Sequence, residues 1–414
     1  MDARPAAGRN SAVSDMPLTD RPELGVWLVG AAGEIAATAM VGASALTRGL
    51  VSTTGLTTAE AAFAPLRLRP IHALRFGGVD IGATSLRDVA MSLSRGSRTV
   101  HRDVLDAVLP DIAGYESDVL RDAALTWDTA APAADLPHLQ TVVSRIREAI
   151  AAFQARHGLE RVVVVNLMSA APEPPPSPLR AHAAGVESLI EQDRKDLMPP
   201  SACYAWAAVA EGCPYINFTP NAGTDWGGLA ELAQRRRVPF YGDDGKTGET
   251  LLKTALAHMF ALRNLRVLSW EGVNLLGNND GRALEDPRNR EMKLRHKRGV
   301  LDNILGYSPH AGVTINYVPS LGDWKTAWDL IHFEGFMDVP MTMQFTWQGC
   351  DSILAAPLVL DLARLADFAA RQGEHGPMPH LAAFFKHPLH VDEMDLQRQF
   401  GMLMQYIETH RRQG

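Results

Sequence analysis

An α/β fold follows from the way apolar segments are distributed along the 414 residues. Up to about residue 240, strand-length apolar runs alternate with helical patterns, the order expected of a doubly wound, mostly parallel sheet. Beyond that point the alternation breaks off. Met341, Met343, Phe345 and Trp347 there alternate with Thr342, Gln344 and Thr346, the period of a half-buried strand in a separate sheet of α+β character. A chain of this length also exceeds the size at which one core keeps growing, so two domains are expected.

The first strand is Leu24–Val29, apolar throughout. Gly30-Ala31-Ala32-Gly33-Glu34-Ile35-Ala36 follows at once and leads into a helical run, with an Ala/Thr-rich stretch to about residue 65. A glycine-bearing turn here suits a dinucleotide pyrophosphate, because backbone must approach closely and a helix N-terminus offers N–H groups at a positive dipole end. The GxGxxG pattern would put glycine where Ala32 stands, so a tight turn without a ligand is the alternative. A second strand, Phe76–Ile81, carries Asp80, either an acid for the ribose hydroxyls or a turn aspartate. Val142, Val143, Ile146, Ile150 and Phe153 line an amphipathic helix over 136–156. The β-branched run from Arg161 to Ser169 is a central strand with Asn166 and Ser169 facing the crevice. A proline-rich lid or connector, 171–180, is followed by a helix over Tyr204–Glu211 and a strand over Tyr215–Asn221.

Val238–Tyr241 is a strand, and Gly242-Asp243-Asp244-Gly245-Lys246 turns from it into a helix with apolar positions Leu252, Ala255, Leu256, Met259 and Phe260. An N-cap accounts for one of the two aspartates but leaves the other and Lys246 unexplained. Val267–Trp270 is a strand, and Asn274–Gly281 a polar, glycine-rich loop. In the basic run that follows, Lys293 and Lys297 share a face if it is helical, although such runs are usually solvated. Strands are expected over Thr314–Val318, Leu330–Phe333 and Met341–Trp347, then a long helix over Asp351–Arg371 that contains Pro357 and stops by Gly373. Lys386 stands between aromatics and a proline in Phe384-Phe385-Lys386-His387-Pro388, which predicts a partly buried ammonium.

Composition narrows the function classes. A net charge of −7 argues against non-specific nucleic-acid binding. No uncharged apolar run is long enough to span a membrane, and residues 1–20 have no apolar signal core, so a cytoplasmic protein is expected. Cys203, Cys213 and Cys350 have no zinc spacing and are expected to be reduced and buried.

Six ordered blocks carry a resemblance: GDDGKTGET at 242–250, NLLGNNDG at 274–281, Lys293 with Lys297 ahead of Val300-Leu301-Asp302, Gly322-Asp323-Trp324-Lys325, Asp351-Ser352-Ile353-Leu354-Ala355-Ala356-Pro357-Leu358, and Phe384-Phe385-Lys386. The chain resembles the myo-inositol-1-phosphate synthase (inositol-3-phosphate synthase) family over roughly residues 25 to 390. Residues 1–22, rich in Arg, Ala, Pro, Ser and Asp without periodicity, are expected to be a disordered tail. The resemblance implies a Rossmann-type NAD-binding domain over 23–248 and 351–414, an inserted catalytic and oligomerisation domain over 249–350, and a homotetramer. It implies an isomerase that oxidises glucose 6-phosphate at C5 with NAD, enolises it, closes the ring by an aldol step onto C1 and reduces it again. A divalent or monovalent cation is left open, with Asp244 and Asp280 as candidate neighbours.

By the same resemblance the catalytic set is Lys293, Lys297, Lys325, Lys386, Asp244, Asn274, Asp280 and Asp351. The cofactor set is Gly30, Ala31, Ala32, Gly33, Glu34, Ile35, Asp80, Asn166, Ser169, Asp244 and Asp351; the substrate set adds Leu276 and Asn278 to the lysines. Such residue types suit the chemistry, since converging ammonium groups would stabilise a phosphate, an enolate and an alkoxide. Lys297 and Lys325 are assigned to the phosphate, Lys293 and Lys386 to the C5 and C1 oxygens, and Asp351 or Asp244 to holding a lysine or the cofactor shell. Ala32, Asn166 and the 217–220 strand end depart from the commonest family forms and bear on NAD geometry. A cyclase for another sugar phosphate, an NAD-binding regulator without activity and a plain sugar-phosphate dehydrogenase are the alternatives.

Overall fold

The computed structural model describes residues 23–130, 132, 134–277 and 301–412. The expected tail over 1–22, together with Asn278, Asp280, Lys293 and Lys297, lies outside the described residues.

Leu24–Val29 (β1) is buried at every position because helices cover both faces of the sheet it centres. Leu74–Asp80 (β2) and Arg161–Asn166 (β4) pair with it in parallel on either side. Val119–Arg121 (β3), Tyr215–Asn217 (β5), Pro239–Tyr241 (β6) and Gly376–Pro377 (β11) complete a seven-stranded sheet in the order β11-β6-β5-β4-β1-β2-β3, with every neighbouring pair parallel. The strand order reverses direction at β1 and β4, so a crevice opens beyond their C-terminal ends. Glu34–Thr47 (α1) follows β1 directly, whereas the expected helical stretch beyond it breaks at Gly49 into short 3-10 turns over 57–66. Leu139–His157 (α4) buries the expected stripe of Val142, Val143, Ile146, Ile150 and Phe153 and ends at Gly158 with φ 59°.

Gly248–Leu262 (α8) leaves the first sheet for a second one made of Arg266–Leu276 (β7), His310–Tyr317 (β8), Trp324–Glu334 (β9) and Pro340–Cys350 (β10), in the order β10-β9-β7-β8. β7 runs parallel to β8 and antiparallel to β9. Its length corrects the expected loop over 274–281: Asn274 and Leu276 are strand residues, each paired on both sides. Gly272 and Asn274 occupy buried positions of β7 while Val273 and Leu275 face the other way, which hid its period. Asp351–Arg371 (α9) then returns to the first sheet and packs on α1, and Leu396–Arg411 (α10) ends the described chain.

The inward face of α8 differs from its apolar pattern. Glu249, Lys253, Ala257 and Phe260 point inward, while Ala255 and Met259 are exposed. Lys253 Nζ lies 2.6 Å from Glu249 Oε1 and 3.9 Å from Asp329 Oδ1 on β9, and Trp270 Nε1 donates to Asp329 at 2.7 Å. This charge cluster fits against β7 because residue 272 is glycine: a Cβ there would stand 2.6 Å from Glu249 Oε1. Below it, Phe260 packs on Phe333 and Trp270 with ring centroids 4.9 and 6.2 Å apart.

Removing the ammonium leaves two carboxylates facing one another at low dielectric. Lys253→Met is therefore expected to cost about 3–5 kcal/mol of stability, read as a lower urea midpoint with an unchanged slope.

Candidate functional site

The crevice beyond β1 and β4 is an open cleft with a cavity volume of about 190 Å³. Its walls come from the chain just after β1, β4, β5 and β6, from the start of α9, and from Asp323, Lys325 and Lys386.

Gly30 makes the turn after β1 with φ 89°, and a Cβ there would press on the Leu167 carbonyl at 3.1 Å. Positive φ falls on Gly30 and not on Ala32, so alanine is tolerated at the position where the fingerprint asks for glycine. The turn's own N–H groups are spent internally. Gly30 and Ala31 donate to Val79 O, Ala32 donates to Asp80 Oδ2 at 2.8 Å, and Gly33 donates to Gly30 O. The first helical bond runs from Ala37 to Gly33, which turns the N–H groups of Glu34, Ile35 and Ala36 toward the cleft they line. An anionic pyrophosphate fits this first turn of α1 better than the loop before it.

Several expected cofactor residues therefore hold the turn instead of lining the cleft. Ala31 is buried in the core. Asp80 spends its carboxylate on the Ala32 and Gly82 N–H groups, which is the turn-aspartate reading. Asn166 is fully buried, donates to Asn217 Oδ1 at 2.8 Å and accepts from Met168 N–H, so it fixes the strand end rather than facing the crevice. Gly30, Gly33, Glu34, Ile35 and Ser169 do line the cleft.

The turn after β6 is built differently from a cap. The N-cap of α8 is Thr247, without a side-chain cap bond, so neither aspartate caps the helix. Asp243 turns inward to accept from Asn217 Nδ2 at 2.7 Å and from Thr224, and burial pushes its carboxyl up to about 8 against those two bonds. Asp244, in the left-handed region at φ 61°, aims the other way and accepts from Lys386 Nζ at 2.7 Å. A backbone ladder brings the two together: Lys386 N–H donates to Asp244 O, Lys246 N–H to Phe384 O and Asp243 N–H to His387 O, each at 2.7 Å. Lys246 is buried and donates to Gln399 of α10 at 2.6 Å; burial and then the neighbouring Lys386 charge lower it to about 8.

The third wall carries Lys325, 3.8 Å from Asp351 Oδ1. Asp323 is buried beside it and accepts from the Cys350 thiol at 2.7 Å and from the Ser352 hydroxyl. Glu34 lines the same cleft; burial first, then the nearby Asp323 and Asp351 carboxylates, push its carboxyl up to about 7. Trp324 Nε1 donates to Ser97 O at 2.6 Å, tying the start of β9 to the first domain.

Of the expected catalytic residues, Lys325, Lys386, Asp244 and Asp351 thus meet in one cleft. Asn274 is buried away from it, and Leu276 sits in a small apolar cluster with Val313 and Ile315. Asp323, Thr247, Thr250, Ser352 and the segment Phe218–Pro220 line the cleft without having been singled out as site residues, although all but the last stand inside the resembling blocks. Among the described residues no group of three or more His, Cys, Asp and Glu is placed to hold a metal, and no helix is long and apolar enough to cross a membrane.

Comparison with known proteins follows the same lines. The profile described as myo-inositol-1-phosphate synthase matches residues 61–410. Inositol-3-phosphate synthase 1 of Bacteroides thetaiotaomicron is 33% identical, covering 95% of this chain and 96% of that one. Inositol-3-phosphate synthase of Trypanosoma brucei brucei is 31% identical over 79% of this chain and 65% of its own length. In fold, the crystal structure of inositol-3-phosphate synthase from Caenorhabditis elegans superposes with a TM-score of 0.82 at 24% identity, covering 94% of this chain and 86% of that one. With the family profile spanning most of the chain and a relative this similar along nearly its whole length, the protein belongs to the myo-inositol-1-phosphate synthase family.

Proposed function

We propose that this protein is an inositol-3-phosphate synthase, converting D-glucose 6-phosphate to 1D-myo-inositol 3-phosphate. The observation that carries the reading is the meeting of Lys325, from the second sheet, with Lys386, from the C-terminal return to the first, beside the N-terminus of α1. Bound NAD would accept hydride from C5 of the sugar and return it after ring closure, so no reducing equivalents accumulate.

The chain's own groups supply the rest. A sugar phosphate brings nearly two negative charges at neutral pH, roughly −1.5 to −2. Lys325 faces that phosphate, with Asp351 3.8 Å away at the edge of ion-pair range and able to yield the ammonium to an anion. Lys386, held at 2.7 Å by Asp244, stands beside the C5 and C1 oxygens and stabilises the enolate and then the aldol alkoxide. By the family blocks, Lys297 is assigned with Lys325, Lys293 with Lys386, and Asn278 and Asp280 to the sugar side, whereas Asn274 and Leu276 stand behind the cleft as strand residues. Residues 23–248 and 351–414 then serve the cofactor and 249–350 the substrate.

Incubation with glucose 6-phosphate and catalytic NAD is expected to yield an inositol phosphate with no net rise in NADH absorbance. Accumulating NADH would identify a dehydrogenase, product from a different hexose phosphate a related cyclase, and NAD binding without product a regulator. Lys386→Ala is expected to lower kcat about a hundred- to a thousandfold with NAD binding and melting temperature unchanged. Lys325→Ala acts chiefly on KM, because it removes phosphate binding that ground state and transition state share.

A homotetramer working in the cytoplasm completes the proposal. On the face of the second sheet turned away from α8, Trp328 is 38% exposed and stands opposite Val273, with Leu275 and Leu330 half-buried nearby. This surface suits a second copy. Trp328→Glu is expected to reduce the assembled mass measured by light scattering, whereas an unchanged mass would clear this face of the role.

A further inference from the structure

Trp347 of β10 lies opposite Ala327 of β9, and Gly349, two residues on, lies opposite Lys325. Side chains two apart on a strand share a face, so Trp347 and Lys325 rise from the same side of the second sheet. A Cβ at Gly349 would come within 2.9 Å of the indole Nε1 and 3.3 Å of Cε2, so the bare backbone there gives the ring its place.

Three elements then bring polar groups to one point. Gly248, the first residue of α8, has φ 56° and no side chain. A Cβ there would meet Lys325 Nζ at 3.9 Å, and Asp351 Oδ1 and Trp347 Nε1 at 4.0 Å each. Its own chain neighbours apart, no described atom comes closer to that point. The gap over Gly248 is therefore rimmed by an ammonium, an indole N–H, and a carboxylate that lies 3.8 Å from the ammonium. Among the described residues no acceptor is bonded to the indole N–H.

An indole N–H donates and cannot accept. With Lys325 beside it, the gap offers two donors to one ligand group, at the positive end of α8. A phosphate has oxygens enough for both and carries the charge that the ammonium and the helix end favour. We propose that Trp347 is a substrate-binding residue: its indole N–H and the Lys325 ammonium together grip the phosphate of the sugar phosphate over Gly248. This rests on Lys325 facing the phosphate. The ammonium, on a flexible stem, attracts the group; the ring seated on Gly349 fixes its direction. Trp347 thereby helps to set which way the sugar leaves its phosphate.

Ground state and transition state share such a contact, so its loss appears in KM. Trp347→Phe keeps a ring over Gly349 and removes the donor. It is expected to raise KM for glucose 6-phosphate about ten- to a hundredfold, the worth of a hydrogen bond to a charged group. The expected kcat stays within about twofold and the melting temperature does not change. Inorganic phosphate, tested as a competitive inhibitor, is expected to weaken by a comparable factor, which lost packing against the sugar would not cause. Trp347→benzothienylalanine, with sulfur in place of the N–H, keeps the bicyclic shape and is expected to act alike, so the test survives if Trp347→Phe fails to fold. An unchanged KM, a fall in kcat alone, or a raised KM with unaltered inhibition by phosphate overturns the proposal. No inositol phosphate from the parent protein overturns the reading of the site, and this proposal with it, and is told apart because it is seen before any substitution is made.

Discussion

The short backbone ladder between the turn after β6 and the segment around Lys386 is the constraint from which the site follows. Lys386 comes from the far end of the chain, and no local preference would bring it to Asp244. Paired peptide groups do so, with Gly245 bridged to Phe385 and the Lys386 N–H donating to the Asp244 carbonyl at 2.7 Å. Tyr241 packs edge-on against Phe385 with ring centroids 5.4 Å apart, so an aromatic contact seals the ladder from below. Backbone hydrogen bonds and buried rings leave little freedom for the ammonium, which is what a group acting by preorganised charge requires. The adjacent Asp243 and Lys246 turn away from the cleft and anchor the same turn to β5 and α10.

The cleft is arranged in matched charges. Lysines in a site without anions would repel one another, and each described lysine of the cleft accordingly lies near an aspartate. The two contacts differ in tightness. Lys386 is bonded at 2.7 Å and Lys325 lies at 3.8 Å, so an arriving anion displaces less interaction at Lys325. That difference suits the proposed division of roles, in which Lys325 takes the phosphate and Lys386 stays fixed beside the reacting carbons.

Much of the fold was legible because strands buried on both faces announce themselves by composition. Leu24–Val29 and Val162–Val165 need only be apolar and β-branched, and the α4 stripe is regular enough to be located within a few residues. What remained hidden was polar burial. Asn274 lies in a strand that looked like a loop, and α8 turns Glu249 and Lys253 inward while showing apolar side chains outward, because ion pairing supplies what the hydrophobic pattern cannot register. At the site, motifs marked Lys325, Lys386, Asp244 and Asp351 through family resemblance. They did not distinguish residues that face the cleft from residues that hold its walls. Asp80 and Asn166 stand at the expected strand ends, but unsatisfied N–H groups nearby claim their oxygens first.

The chain leaves for the second sheet and returns from it at the cleft, which is how residues of that sheet reach the walls built by the first. Thr247 and Thr250 stand where α8 departs, and Asp351 and Ser352 where α9 returns, and all four line the same walls. A domain joined through both of its strands at the site cannot shift without moving Lys325 and Asp323 relative to the α1 N-terminus. The Trp324 to Ser97 bond also ties the start of β9 to the chain packed on the first sheet. The placement of Lys325 and Asp323 relative to the α1 N-terminus is thus set both by the chain connections at the cleft and by this bond.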